Sequence, residues 1–113
     1  MDPRVRTVIT LIEADLYPET PLTALAQSVN LSPSRLRHLF KTETGMTPAQ
    51  YLKRLRMESA KQLLETTFLS VKVITSRVGI NNLSHFAQDF KKAYGLTPAQ
   101  HRARFHIAHS ARR

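Results

Sequence analysis

Apolar residues recur every three or four positions along most of the chain, in segments separated by proline, glycine or asparagine. This spacing is typical of amphipathic α-helices, and the alternation that strands require is convincing nowhere. In the first segment, residues 3–17, one helical face carries Val5, Val8, Ile9, Ile12 and Leu16. The pattern therefore predicts an all-α fold with about seven helices.

Capping and terminating residues set the boundaries of the other helices. Hydroxyl or amide side chains suited to helix N-termini occur at Thr23, Ser32, Ser70 and either Asn81 or Asn82. Capping boxes with proline at the first helical position begin at Thr47 and Thr97. Residues that tolerate a left-handed backbone end four helices: Asn30, Gly45, Gly79 and Gly95. The predicted helices are 24–29, 33–44, 48–65, 71–78, 82–94 and 98–105, with a basic tail at 106–113.

Each helix carries an apolar stripe that we expect to be its buried side. In the third helix the stripe contains Leu36, Leu39 and Phe40, and in the sixth it contains Phe86 and Phe90. In the long fourth helix the predicted stripe is Leu52, Leu55, Ser59 and Leu63, flanked by Tyr51, Ala60 and Leu64.

The two halves of the chain repeat one pattern. The tetrapeptide Thr-Pro-Ala-Gln at 47–50 recurs at 97–100, and Phe40-Lys41 recurs as Phe90-Lys91. Upstream the offset falls by one, because the second copy carries one extra residue in the segment Asn81 to His85. Two copies are too few for a solenoid. The repeat therefore indicates a tandem pair of small helical units.

Each unit has the spacing of a helix-turn-helix motif. In the first unit the joint at 30–32 is only three residues long, which forces its two helices to cross steeply. Ala26 is small enough for a close approach and Leu36 fills the space between the helices, whereas Gly79 and Phe86 take the turn and filling positions in the second unit. A tandem helix-turn-helix domain is predicted at 1–105, with subdomain one at about 3–46, a linker helix at about 48–65 and subdomain two at about 66–105.

Charge narrows the class of partner. The chain carries 17 Lys and Arg against 8 Asp and Glu, a formal net charge of +9. Residues 1–19 hold only two of these bases but four of the acids, so the excess of positive charge lies in the remainder. A basic body of this kind attracts polyanions such as nucleic acids.

The second helix of each motif presents a polar face opposite its core side. On the third helix this face carries Ser34, Arg35, Arg37, His38 and Lys41, and on the sixth it carries Leu83, Ser84, His85, Gln88, Lys91 and Lys92. Arginine can form a fork with guanine, polar side chains can bond base edges, and leucine can contact a thymine methyl group. A solvated face is the ordinary alternative for either helix alone. Two such faces in a strongly basic chain favour binding to double-stranded DNA.

The linker helix suggests how both faces reach DNA. About 18 residues span about 27 Å, which is comparable to the about 34 Å of one DNA turn. Both reading helices are therefore expected to enter successive major grooves, with DNA bending that costs about 1–6 kcal/mol. Because the two faces differ, the operator should be asymmetric. For Arg56 two roles stay open, a phosphate contact or a tie to a neighbouring carbonyl or acid. Other phosphate contacts are expected from Arg35, Lys41, Lys53, Arg54, Arg77, Lys91 and Lys92.

Over about residues 5–105 the chain resembles the DNA-binding domain of the AraC/XylS family of bacterial transcription regulators. The resemblance is carried by the segment 31–36, by Phe40-Lys41 with Gly45, by Arg56 with Ala60 and Leu63-Leu64, and by a longer set in the second half: Val78-Gly79, Phe86, Phe90-Lys91-Lys92, Gly95, Thr97-Pro98 and Arg102. It implies seven helices, two helix-turn-helix subdomains and operator binding through the third and sixth helices, in an activator or a repressor. Carried over by position, the base-reading residues are Ser34, Arg37, His38, Leu83, Ser84, His85 and Gln88.

The sequence departs from the family pattern at four places. Ile80 replaces a usual Phe, Thr75 a usual Ala and His101 a usual Tyr. Ile80 and Thr75 suggest a slightly different, less stable core in the second unit. Leu83 is a less usual choice at a reading position.

Other functions find little support. The chain has no cysteine and only three glycines, all at helix ends, so neither thiol chemistry nor a glycine-rich phosphate loop is available. His101, His106 and His109 lack a nearby carboxylate in sequence, so we expect no metal, no cofactor and no enzyme activity. No segment resembles a membrane span or a signal peptide, which favours a cytoplasmic protein. RNA polymerase is a further candidate partner, and any effector-sensing or dimerisation domain would lie outside these residues.

Two alternatives to double-stranded DNA binding stay open. A basic module that binds a protein partner would show salt sensitivity without base preference. An RNA-binding module is disfavoured because only 7% of residues are aromatic and most of these are expected in the core.

Overall fold

The computed structural model describes residues 1–14 and 20–111, excluding the side chains of 107–111. In these ranges it contains seven α-helices and no strand, so the predicted all-α class is confirmed. The helices are α1 (Pro3–Ala14), α2 (Leu22–Ser28), α3 (Pro33–Thr44), α4 (Pro48–Thr66), α5 (Val71–Arg77), α6 (Leu83–Tyr94) and α7 (Pro98–Ala111).

Most helices begin where their capping residues predict. Side-chain oxygens of Ser32, Ser70 and Asn82 accept the backbone N–H three residues later. Both capping boxes close in both directions, with Thr47 and Gln50 exchanging bonds of 2.9 and 3.2 Å and Thr97 and Gln100 exchanging bonds of 3.0 and 3.2 Å. The predicted cap Thr23 is wrong, because α2 already begins at Leu22 behind Pro21, which restricts the backbone there.

The C-terminal helix is longer than predicted. We expected a tail from His106 onwards, whereas α7 continues to Ala111. Residues 106–111 contain neither glycine nor proline, so nothing in their sequence stops the helix. The predicted end of the first helix, including Leu16, lies outside the described residues.

The chain divides into two compact units, Met1–Leu55 and Arg56–Arg113, each with its own hydrophobic core. The first core is formed by Val5, Val8, Ile12, Leu25, Ala26, Leu36, Phe40 and Leu52. The second core is formed by Met57, Ala60, Leu64, Ile74, Val78, Phe86 and Phe90. The inward positions predicted for Leu36, Phe40, Phe86 and Phe90 are thus confirmed.

The buried side of α4 differs from the predicted stripe. Leu52 is buried as expected, but Leu55, Ser59 and Leu63 are only partly buried. In the second unit the buried positions of α4 are instead Met57, Ala60 and Leu64. At 3.6 residues a turn these lie roughly 110° around the axis from Leu52. The helix therefore buries one face in the first unit and another in the second, which a single stripe cannot describe.

Gly95 ends α6 with a φ of 83°, in the left-handed region. A Cβ at this position would meet no atom within 4 Å, so only the backbone conformation opposes a side chain. We expect Gly95→Ala to lower the free energy of unfolding by about 1–2 kcal/mol, measured by urea denaturation. Gly95→Asn should cost less, because asparagine tolerates this conformation, as Asn30 does at a φ of 58°. Equal losses for the two variants would contradict the backbone explanation.

No helix in the described ranges is both long enough and apolar enough to cross a lipid bilayer.

Candidate nucleic-acid interface

The same tight turn joins the two helices of each motif. The Leu31 N–H donates to the Ala26 carbonyl at 3.0 Å, and the Ile80 N–H donates to the Thr75 carbonyl at 2.8 Å. Asn30 supplies the left-handed residue of the first turn and Gly79, with a φ of 80°, that of the second. The turn predicted between the two helices of each motif is therefore present in both units. The extra residue of the second copy lies between Ile80 and the N-cap Asn82.

A buried threonine replaces the small alanine in the second turn. Thr75 is 3% exposed, and its hydroxyl donates to the Lys72 carbonyl at 2.9 Å. The bond within α5 satisfies the hydroxyl, so the helices approach each other without an unpaired buried polar group. This hydrogen bond explains how the second unit accommodates a threonine where the first unit has Ala26.

Buried side chains hold the second helix of each motif in place. Leu36 and Phe40 are the buried residues of α3, and Phe86 and Phe90 are those of α6. With these residues turned inward, the opposite face of each helix must point to solvent.

All seven predicted base-reading side chains are exposed. Ser34, Arg37 and His38 lie together on α3 in the first unit. Leu83, Ser84, His85 and Gln88 lie together on the first half of α6 in the second unit. Leu83 is 43% exposed at the start of α6.

Cavities flank the exposed face of α3 on both sides. By helical spacing Arg35 lies on one side of Ser34 and His38, whereas Arg37 lies on the other. A cavity of about 560 Å³ follows the Arg35 side and includes Arg4 of α1. A smaller cavity of about 330 Å³ includes Arg37 and apolar side chains: Leu22, Leu25 and Leu52.

The cations predicted to meet phosphates are all exposed: Arg35, Lys41, Lys53, Arg54, Arg77, Lys91 and Lys92. Arg54 is positioned by an aromatic ring, since its guanidinium lies 5.3 Å from the ring centroid of Tyr51. That ring packs edge-on against Phe40, and its hydroxyl donates to Glu13 Oε1 at 3.3 Å.

Arg56 contacts the turn of the second motif. Its Nη1 donates to the Gly79 carbonyl at 3.1 Å, from α4 to the left-handed residue of the turn. Of the two roles open for this side chain, the structure shows the tie to a neighbouring carbonyl. The tie fastens the turn that leads into α6.

The side chain of His101 anchors α7 to α4. His101 Nε2 lies 2.8 Å from Glu65 Oε2, while Arg102 Nε donates to the Leu64 carbonyl at 3.2 Å. The imidazole also packs edge-on against Phe90, with ring centroids 5.6 Å apart. Among the described side chains no three His, Asp or Glu residues come together as a metal site. The side chain of His109 lies outside them.

The sequence pattern did not predict the roles of Asp2 and Arg4 at the start of α1. Asp2 Oδ1 accepts the backbone N–H of Arg4 at 2.8 Å, so aspartate precedes a helix-starting proline as an N-cap. The Arg4 guanidinium also donates to both carboxylate oxygens, at 3.2 and 2.9 Å. These bonds lower the pKa of the Asp2 carboxyl below its usual value. The Asp-Pro pair was the available signal for the cap, but nothing local indicated the cavity beside α3.

Known proteins are similar to this chain over most of its length. A family model described as a helix-turn-helix domain matches residues 25–104. The arabinose operon regulatory protein of Escherichia coli K12 is 36% identical over 104 residues, covering 91% of this chain and 36% of that protein. The transcriptional activator RhaR of Mannheimia succiniciproducens is 32% identical over 102 residues, covering 90% of this chain and 37% of that protein. The chain thus spans little more than a third of these curated relatives.

Two solved structures share the fold. An AraC-type regulator from Chromobacterium violaceum has a TM-score of 0.83 at 29% identity, covering 91% of this chain and 92% of that one. The DNA-binding domain of AdpA, in complex with a target DNA, has a TM-score of 0.77 at 30% identity, covering 100% of this chain and 97% of that one.

Proposed function

The chain belongs to the AraC-type helix-turn-helix family of transcription regulators, and on that premise we propose that it reads a double-stranded operator with α3 and α6. Each helix enters a major groove of the duplex. The two grooves are successive, and the operator is asymmetric because the two reading faces carry different side chains.

The observation that carries this proposal is the duplicated turn with an exposed polar helix face beyond it. The matched bonds from Leu31 to Ala26 and from Ile80 to Thr75 orient α3 and α6 alike within their units. A single polar helix face would be unremarkable on a protein surface. Two such faces built on the same turn in a +9 chain support DNA binding.

The two faces suit different base pairs. On α3, Arg37 can donate two parallel bonds to the O6 and N7 atoms of guanine, and Ser34 and His38 can bond neighbouring base edges. On α6, Gln88 can bond both N6 and N7 of adenine, while the exposed Leu83 can pack on a thymine methyl group. We therefore expect a guanine-containing block under α3 and an adenine- and thymine-containing block under α6.

Phosphate contacts supply the sequence-independent part of binding. The exposed cations named above neutralise phosphates and release counterions, so affinity falls steeply as salt rises. Lys53 and Arg54 belong to α4 rather than to a reading helix, and so contribute to affinity without selecting sequence.

We place this domain in a longer bacterial regulator that works in the cytoplasm. Its curated relatives are much longer than the matched segment. In that arrangement an effector-sensing or dimerisation domain lies outside these residues, and RNA polymerase is the partner through which transcription responds.

Selection from random duplex DNA at physiological salt tests the proposal. The expected product is an asymmetric motif with two unlike blocks about 10 base pairs apart, centre to centre. Salt-sensitive binding without any consensus would instead favour the rival protein-interaction module. A single short protected block in footprinting would show that one helix reads DNA alone.

A further inference from the structure

A cation outside the two motifs lies beside the first reading helix. Arg4, at the start of α1, lines the cavity of about 560 Å³ along one flank of α3. Ser34 and His38 of the reading face line the same cavity, together with Arg35. Arg4 is therefore next to the groove-facing surface although it belongs to another helix.

Two sets of contacts hold this arginine near α3. Its Nε and Nη2 atoms donate to the carboxylate of Asp2 at 3.2 and 2.9 Å. The backbone N–H of Asp2 in turn donates to Glu43 Oε1 of α3 at 3.0 Å. The segment before α1 is thus attached to the last turn of α3, and the positive charge of Arg4 is balanced by its own neighbour.

A helix that lies in a major groove has phosphates along both flanks. An α-helix with its side chains is about 10–12 Å across and the groove is about 12 Å wide, so the two backbones run close on either side. The Arg35 flank of α3 therefore faces one DNA strand, and Arg4 lies on that flank.

We propose that Arg4 contacts a phosphate on this strand and that Asp2 competes with the phosphate for it. The inference rests on the proposed function, since it requires α3 to enter the major groove. In free protein the carboxylate occupies the guanidinium, and in the complex a phosphate oxygen pair takes its place through the same two donors. Asp2 thereby sets the affinity of the first unit for DNA below the value that its cations would otherwise give.

The charge and capping roles of Asp2 can be separated. Asn caps helix N-termini about as well as Asp. Asp2→Asn therefore keeps the bond to the Arg4 backbone N–H but removes the negative charge. We expect this variant to bind the selected operator roughly three- to tenfold more tightly at about 0.1 M salt, with a salt slope steeper by about one unit. Arg4→Ala should weaken binding by a similar factor, and Asp2→Asn combined with Arg4→Ala should show no gain over Arg4→Ala alone.

Arg6→Ala is the matched control, because Arg6 is exposed on the same helix but does not line the cavity. Equal effects of Arg4→Ala and Arg6→Ala would reduce the result to net charge and overturn the inference. Unchanged affinity of Asp2→Asn on an operator that the unsubstituted chain binds specifically would overturn it as well, with the proposed function intact. If the unsubstituted chain selects no operator, the proposed function itself fails. Urea unfolding of each variant checks that the fold is retained.

Discussion

Phe90→Ala is expected to lower the free energy of unfolding of the second unit by about 3–5 kcal/mol. Phe90 is fully buried, and its ring lies 4.7 Å from that of Tyr94, 5.7 Å from that of Phe86 and 5.6 Å from that of His101. Removing the ring leaves a cavity and also removes the packing surface of the imidazole that anchors α7. Urea denaturation followed by circular dichroism measures the loss.

Phe40→Ala provides the matched variant in the first unit. Phe40 occupies the equivalent place in the repeat, is fully buried and packs edge-on against Tyr51 at 5.5 Å. We expect a comparable loss of stability, but the part of the DNA footprint that is lost first should differ. Footprints of Phe90→Ala should lose the block under α6 first, and those of Phe40→Ala the block under α3. Simultaneous loss of both blocks in both variants would show that the two cores unfold together, and a loss below about 1 kcal/mol would contradict the burial argument.

Arg37→Ala is expected to weaken binding to the selected operator about 5- to 150-fold, the equivalent of about 1–3 kcal/mol for one bidentate base contact. Arg37 is exposed on the reading face of α3 and lines the smaller flanking cavity. Binding to random-sequence DNA should change much less, because the lost contact is to a base. Competition titrations against operator and random duplexes measure both affinities.

Lys53→Ala serves as the comparison, because its side chain is exposed on α4 and is assigned to phosphates. It should weaken operator and random DNA by the same factor and reduce the salt slope by about one unit. Equal losses on both duplexes for Arg37→Ala would remove its role in base reading. A loss on the operator alone for Lys53→Ala would remove the phosphate assignment.

The helices were largely predictable because their signals are local. Capping bonds join residues three apart, as between Thr47 and Gln50, and the left-handed residues end helices through their own backbone. Predictions failed where a local signal was absent or redundant. Thr23 has a capping side chain inside a helix that begins earlier, and residues 106–111 lack any terminator.

The candidate site was likewise predictable where its signals are local and unpredictable where its contacts join distant residues. The exposure of Arg37 and Gln88 followed from the periodicity of α3 and α6, since a residue opposite a buried stripe points to solvent. The tie from Arg56 to Gly79 joins residues 23 apart, the pair of His101 and Glu65 is 36 apart, and the bond from Asp2 to Glu43 is 41 apart. No pattern within a few turns of helix specifies such partners.

The order of amino acids alone specifies the helical class, the duplicated motif, the positive charge and the outward faces of the two reading helices. These properties depend on composition or on interactions within about one turn of helix. Three other features appear only in the folded chain: α4 buries a different side in each unit, Thr75 bonds within its own helix, and Arg4 lies beside α3. Those outcomes depend on which surfaces meet once the chain has folded, and packing between residues distant along the chain selects them.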